Sequence, residues 1–225
     1  MRYQNRIVLF LDILGFQKII DETVEKGVTN ESKVESVYSA VHSMRTFVER
    51  IQLGSSKQVT QFSDSIVLSF RVNDTMNIDK LFPSLLQLVF ILLNNNWLCR
   101  GAIAYGKLYH DEKTLFGPAL NEAYNTESKA AMYPRVIIDR TIIELLKNKV
   151  GPGSQSYKFN STLYGPILNI DTDDRLYLDY FTGVLASFNF KVLNIKDYLL
   201  NIRRIIINGR RNTKPDIKIN STLTD

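Results

Sequence analysis

The chain has 225 residues, of which 44% are hydrophobic, 23% charged and 11% aromatic. That composition is globular and excludes a disordered, collagen-like or low-complexity protein. The length suits one domain, or one domain with an appendage, and can bury a sizeable core. Cys99 is the sole cysteine, and His42 and His110 are the two histidines. An intramolecular disulfide, a Cys-based zinc cluster and a His-rich metal site are therefore excluded. Basic residues number 28 against 23 acidic ones, a formal charge of +5. So modest an excess predicts no nucleic-acid partner. Seven Lys/Arg and one acid, Asp197, fall between Lys191 and Pro215. That cluster could attract an anionic partner, or it could be the wet face of an amphipathic terminal helix. The most apolar stretch, Leu85 to Leu93, is far short of the roughly 18 residues a membrane span needs. The first residues, MRYQNRIVLFLDILGF, have no small-residue cleavage site and are interrupted by Asp12, so no signal peptide is expected. A reduced, cytoplasmic protein is the expectation.

The first element is the apolar run Arg6 to Leu11 (RIVLFL), ended by Asp12, which reads as a buried strand. Val34, Val37, Tyr38, Val41, Met44, Val48 and Ile51 recur at helical spacing. Lys57 to Phe62 and Ile66 to Phe70 flank the pair Ser63-Asp64 and predict a β-hairpin with Asp64 at or beside its tip. Ile78 to Asn95 reads as a more buried helix, with Pro83 placed near its first turn. Trp97 to Tyr109 is the next strand, Pro118 to Ala131 a helix, Arg135 to Ile138 a strand and Asp139 to Lys147 a helix, stopped at Gly151-Pro152-Gly153. Beyond Gly153 the signals weaken. Asp171 to Asp174 reads as a turn, Arg175 to Tyr180 as a strand and Ile195 to Ile207 as a helix; the tail from Asn212 is polar. The order predicts an α+β fold, a ferredoxin-like, antiparallel-rich sheet with helices packed on one face. Residues 1–150 form the core, and residues 151–225 a strand-and-helix extension of the same domain with a polar tail.

Asp12 stands where an apolar strand ends and Gly15 begins a turn into a helix, and Asp64 stands at the hairpin. If the strands are neighbours, both carboxylates project at one end of the sheet. Two carboxylates without Cys or His suit a hard cation such as Mg²⁺ or Mn²⁺. A helix starting after Asp12 would aim the N–H groups of Leu14, Gly15 and Phe16 at an anion. For either aspartate alone a turn cap is the plainer explanation. Arg100, at a strand start, reads as a charge paired with an acid. Five other groups draw the structural reading. His110 is expected exposed, Tyr124 and Tyr133 as packing residues, Trp97 and Cys99 as core, and Glu127 and Ser128 as helix-packing residues. Asp171, Asp173, Asp174 and Asp179 are expected as solvated acids.

Four segments, taken together, resemble the class III nucleotidyl cyclases. VLFLDILGF is similar to their first metal motif, F-x-D-I-x-G-F. QFSDSIVLSF is similar to their G-D-G hairpin, with Ser63 and Ser65 in place of the glycines. CRGAIAYGKL resembles their R-x-G-I-x-x-G strand, with Ala102 for the first glycine, and LFGPALNEAYNTESKA their helix motif Y-G-D-x-V-N-x-A-x-R-x-E-S. The resemblance covers about Arg6 to Ile138, in the family's order. It departs where the family reads purines: Pro118 replaces the adenine-reading Asp, and Thr60 replaces the purine Lys. Asn121 keeps the transition-state Asn, while Asn125 stands where the transition-state Arg would be.

The whole pattern resembles, more narrowly, the bacterial pyrimidine cyclases of Pycsar antiphage systems. That resemblance implies conversion of UTP, or CTP, to the 3′,5′-cyclic monophosphate and pyrophosphate. It implies two divalent cations, Mn²⁺ or Mg²⁺, held by Asp12 and Asp64, with the Ile13 carbonyl as a further ligand. The Leu14–Gly15–Phe16 turn would take the triphosphate. Thr60 and Phe62 would approach the base, and Asn125 would belong to the substrate-contacting set. Asn121 would come from the partner in a homodimer with composite sites, and Arg100 would replace the lost cation or contact the base. A separately encoded effector would sense the cyclic nucleotide. A purine cyclase with unrecognised base contacts and a catalytically silent nucleotide-binding module stay open as alternatives.

Overall fold

The computed structural model describes residues 2–71, 78–149, 167–182, 199–205 and 207. Its strands are β1 (Gln4–Ile13), β2 (Val24–Glu25), β3 (Val28–Thr29), β4 (Gln58–Phe62), β5 (Ser65–Arg71), β6 (Cys99–His110), β7 (Leu115–Phe116), β8 (Val136–Ile138), β9 (Leu168–Ile170) and β10 (Leu176–Leu178). Its helices are α1 (Phe16–Asp21), α2 (Glu31–Arg50), α3 (Ile78–Asn94), α4 (Pro118–Ala130) and α5 (Arg140–Lys149), followed by a helical stretch at 199–205. The main sheet runs β4-β5-β1-β6-β8-β10-β9, with β7 hydrogen-bonded to β6. Every pair in it is antiparallel except β6 with β8. Parallel neighbours need a crossover, and α4 supplies it.

β1 sits at the centre because it can be buried on both faces. Ile7, Leu9, Leu11 and Ile13 alternate onto one face, where they join Met44 and Val48 of α2 and Leu81, Leu85, Leu88 and Leu92 of α3 in the main core. Val8 and Phe10 take the other face, where they meet Val67, Ala104, Leu108 and the small residues Ala119 and Ala123 of α4. Helices therefore cover both faces, not the single face expected. A continuous apolar strand such as β1 requires that second cover. α2 is capped by Asn30, whose side chain accepts from the Lys33 N–H at 3.2 Å.

Several expectations are corrected. Pro83 lies inside α3, which begins at Ile78, so it falls beyond the first turn. The short hairpin β2–β3 and the strand β7 carried no apolar pattern. Asp171 and Asp173 are not simply solvated: they pair with the buried Arg135, Asp173 at 2.6 Å, and fasten the β9–β10 turn beside β8. Asp179 is buried rather than on a wet face, because its carboxylate accepts from the Phe181 and Thr182 N–H groups. Cys99 is core as expected, and the buried Tyr180 hydroxyl donates to its carbonyl at 2.7 Å. The residues from Asn212 onward, the Gly151-Pro152-Gly153 stop and most of the basic cluster lie outside the described residues.

Candidate active site

The strand registers place Asp12, Ser65 and Arg100 in one row across β1, β5 and β6. In a pleated sheet that row shares a face, here the α4 face. The β4–β5 hairpin turns on Ser63 and Asp64, since Phe62 and Ser65 are its last pair. Ser63 has φ 53°, the left-handed conformation that a glycine adopts without cost. The backbone thus keeps a glycine-like turn although a serine is present.

This brings the two carboxylates together. Asp64's pKa is raised, first by burial and then by the negative charge of Asp12 beside it. Both serines of the hairpin serve the pair. Ser65 Oγ donates to Asp12 Oδ1 at 2.7 Å, and a hydrogen bond from Ser63 draws Asp64's pKa back down. The sequence reading noted these serines only as departures from glycine.

Arg100 lies at this site with its charge engaged. Its Nε is 2.5 Å from Glu127 Oε1 and 3.7 Å from Asp12 Oδ2. The N–H is not aimed at either oxygen, so these are ion pairs rather than aligned hydrogen bonds. Glu127 is 2% exposed, and burial raises its pKa, with Asp12 and Asp64 adding in the same direction. Its second oxygen accepts from Ser128 Oγ at 2.9 Å. Glu127 was expected to do no more than pack a helix. The signal that could have found it is an acid in the buried stripe Ala119, Ala123, Glu127, because a buried carboxylate needs a partner.

Gly15 opens α1 with φ 74°, a conformation that favours glycine. Of the three expected anion donors, Leu14 is corrected: its N–H is bonded to the Leu98 carbonyl at 2.8 Å. Gly15 and Phe16 carry that expectation forward. Cys99 beside Asp12 is inert, its thiol pushed up to about 12 by burial first and by Asp12 second.

Other expected residues are not brought to the carboxylates. Ala119 of α4 lies against Gly106, while Glu127 lies against Arg100. Asn121 is six residues before Glu127, about 9 Å along the helix, on its exposed side with Asn125 and Pro118. Asn121 therefore lies apart from the end of α4 that meets Arg100. Phe62 is 56% exposed beside the hairpin, and Tyr124, edge-on to Phe10 at 5.6 Å, is exposed rather than packed away. Thr60 is half-buried, its Oγ1 2.8 Å from His110 Nε2. His110 is buried, not exposed. Its partners, Thr60 and Ser69, lie on β4 and β5, far from it in the chain.

No protein-family profile and no curated protein matches this chain. Solved structures do. A bacterial light-regulated adenylyl cyclase aligns over 91% of this chain and 58% of its own, at 15% identity and a TM-score of 0.51. A second structure of such an enzyme aligns over 82% of this chain and 55% of its own, at 17% identity and a TM-score of 0.50. The adenylyl cyclase CyaB from P. aeruginosa covers 66% of this chain and 82% of its own, at 15% identity and a TM-score of 0.49. The fold is the class III cyclase fold. On it, Asp12 ends the central strand and Asp64 turns the hairpin beside it. Among the described residues no three His, Cys, Asp or Glu side chains gather to hold a metal, and no helix is long and apolar enough to cross a membrane.

Proposed function

We propose that this chain is a nucleotide cyclase that converts UTP to 3′,5′-cyclic UMP and pyrophosphate. The observation that carries this reading is the meeting of Asp12 and Asp64 at one end of a class III cyclase sheet. It is joined by the loss of both purine-reading side chains, at Thr60 and Pro118. A smaller base leaves room that larger side chains must fill, and Phe62 is exposed beside Thr60 for that purpose.

The donor set fits two divalent cations, Mn²⁺ or Mg²⁺. It is all oxygen, and a cation relieves the repulsion from Asp12 that, after burial, raises Asp64's pKa. Asp12 and Asp64 would hold them, with the Ile13 carbonyl as a further ligand. Bound there, the ions supply a lowered pKa for the ribose 3′-OH and charge neutralisation at the triphosphate. The protein's share is placement. The N–H groups of Gly15 and Phe16 receive phosphate oxygens. Glu127 tethers Arg100, which lies 3.7 Å from Asp12 and contributes positive charge to the site. Asn121, on the outer face of α4, orients the ribose or α-phosphate in the site of a second copy. The 3′-oxygen then attacks the α-phosphorus in line, pyrophosphate leaves, and the hydroxyl proton passes to solvent.

By its resemblance to the Pycsar cyclases, the product would be a second messenger in antiphage defence, read by a separately encoded effector. CTP is the alternative substrate, and a purine cyclase the next. Two observations favour a silent nucleotide-binding module: Asn125 replaces the helix Arg, and Arg100 is engaged by Glu127. The test is turnover of UTP with Mn²⁺. Cyclic UMP and pyrophosphate in equal amounts are expected. Asp12→Asn and Asp64→Asn should each reduce the rate by 100-fold or more, on the order of 3 kcal/mol, with an unchanged circular dichroism spectrum. Full activity in either variant would overturn the metal assignment.

A further inference from the structure

A buried hydrogen-bond chain leads from the sheet interior to Thr60. Arg6 is 3% exposed, and its Nε donates to Ser69 Oγ at 2.9 Å. Ser69, wholly buried, has its Oγ 2.7 Å from His110 Nδ1. The other ring nitrogen, Nε2, is 2.8 Å from Thr60 Oγ1. Arg6 Nη2 also donates to the Ser69 and Ser56 carbonyls, so the guanidinium is fixed in place. The first member fixes one end of the chain. A guanidinium has donors only, so Ser69 Oγ accepts from Arg6. A serine oxygen can accept twice, so what sets the direction is Ser69's own buried hydrogen, and the acceptor beside it is the ring nitrogen at 2.7 Å. His110 Nδ1 is then the acceptor, and a neutral imidazole carries its proton on Nε2. That proton goes to Thr60 Oγ1. Burial and the charge of Arg6 hold His110's pKa down at about 4, against a smaller opposite pull from Asp111, so the ring is neutral near pH 7.

We propose that Arg6, Ser69 and His110 form a relay that leaves the Thr60 hydroxyl with its own hydrogen to donate, so that Thr60 selects a base presenting a carbonyl oxygen, the 4-keto group of a uracil nucleotide, over one presenting an amino group. Thr60 touches the base; His110 is a positioning residue acting through it. The opposite proton placement would turn Thr60 into an acceptor only and would suit the 4-amino group of cytosine. This rests on the pyrimidine reading above for the ligand, but the relay itself stands on the free protein.

Two measurements test it. With only two histidines in the chain, ¹⁵N NMR of labelled protein, assigned by His42→Gln, reads the His110 tautomer directly. An unprotonated Nδ1 and a protonated Nε2, holding from pH 8 to 5.5, are expected. A proton on Nδ1 overturns the relay whatever the enzyme turns over. The second measurement compares kcat/KM for UTP, CTP and the triphosphate of pyrimidin-2-one riboside, which lacks the 4-substituent. Wild type should prefer UTP over both by about tenfold or more. Thr60→Val should remove that preference by lowering the UTP value alone, and Thr60→Ser should retain it. His110→Leu should lose it and His110→Gln restore part of it, each with a cooperative thermal transition. An unchanged UTP-to-CTP ratio in Thr60→Val, with cyclic pyrimidine nucleotides still produced, overturns the selection while leaving the proposed function standing. No pyrimidine product from wild type overturns the proposed function and the selection together, and the tautomer still decides the relay.

Discussion

Asp12 and Asp64 are held together before any cation arrives, and that arrangement costs stability when both are charged. Asp64's folded pKa lies above its ordinary 3.8, from burial first and Asp12 second. A carboxyl raised in this way contributes stability that is full below its unfolded pKa and is lost as pH rises through the folded value. Metal-free Asp64→Asn should therefore melt above wild type at pH 7, by about 2 °C or more, and the gain should shrink as pH falls toward 4. Adding Mn²⁺ should raise the melting temperature of wild type and not of the variant. Equal melting at both pH values would contradict the carboxylate pairing. The two aspartates were legible because each stands at a break in an apolar pattern, one at a strand end and one at a hairpin. His110 was not legible, because its partners Thr60 and Ser69 are 50 and 41 residues away in sequence. Only the sheet brings them together. Glu127 hid for the opposite reason: its spacing with Ala119 and Ala123 reads as packing, and it does pack, but against Arg100.

At the scale of elements, the close approach of β1 and β6 sets the spacing of Asp12 and Arg100. Gly101 sits next to that row, and a Cβ there would come 2.5 Å from the Phe10 carbonyl oxygen. Gly101→Ala should cost roughly 1–3 kcal/mol, as overpacking does, measured by urea unfolding. The loss of activity should exceed the loss of folded protein, because the shift falls on Asp12's own strand. A variant as stable as wild type would mean that the two strands can part without penalty. Element types and order were readable, β1 and β5 from apolar runs and α2 and α4 from one consistent buried stripe each. The second helical layer was not drawn from the sequence, although the unbroken run Ile7 to Leu11 carried its signal. The β2–β3 hairpin, with Val24 and Val28 both exposed, offers no alternation to read.

At the scale of the molecule, the aspartates and Asn121 occupy different places on one chain. The aspartates close one end of the sheet, and Asn121 faces outward from the far part of α4. A composite site between two copies reconciles them. Mixing Asp64→Ala protomers with Asn121→Ala protomers should then recover activity, up to about a quarter of wild type for random pairing, since half the dimers are mixed and each has one intact site of two. Absence of recovery in verified mixed dimers would place the whole site within one chain. The most direct measurement of the central claim is competition. ATP, GTP, CTP and UTP are supplied together, in equal amounts with Mn²⁺, and the products are identified by mass spectrometry. Cyclic UMP as the dominant product, with its pyrophosphate, is the result expected here. Cyclic AMP or cyclic GMP in its place would contradict the reading of Thr60 and Pro118, and binding without any cyclic product would mark the chain as a silent nucleotide-binding module.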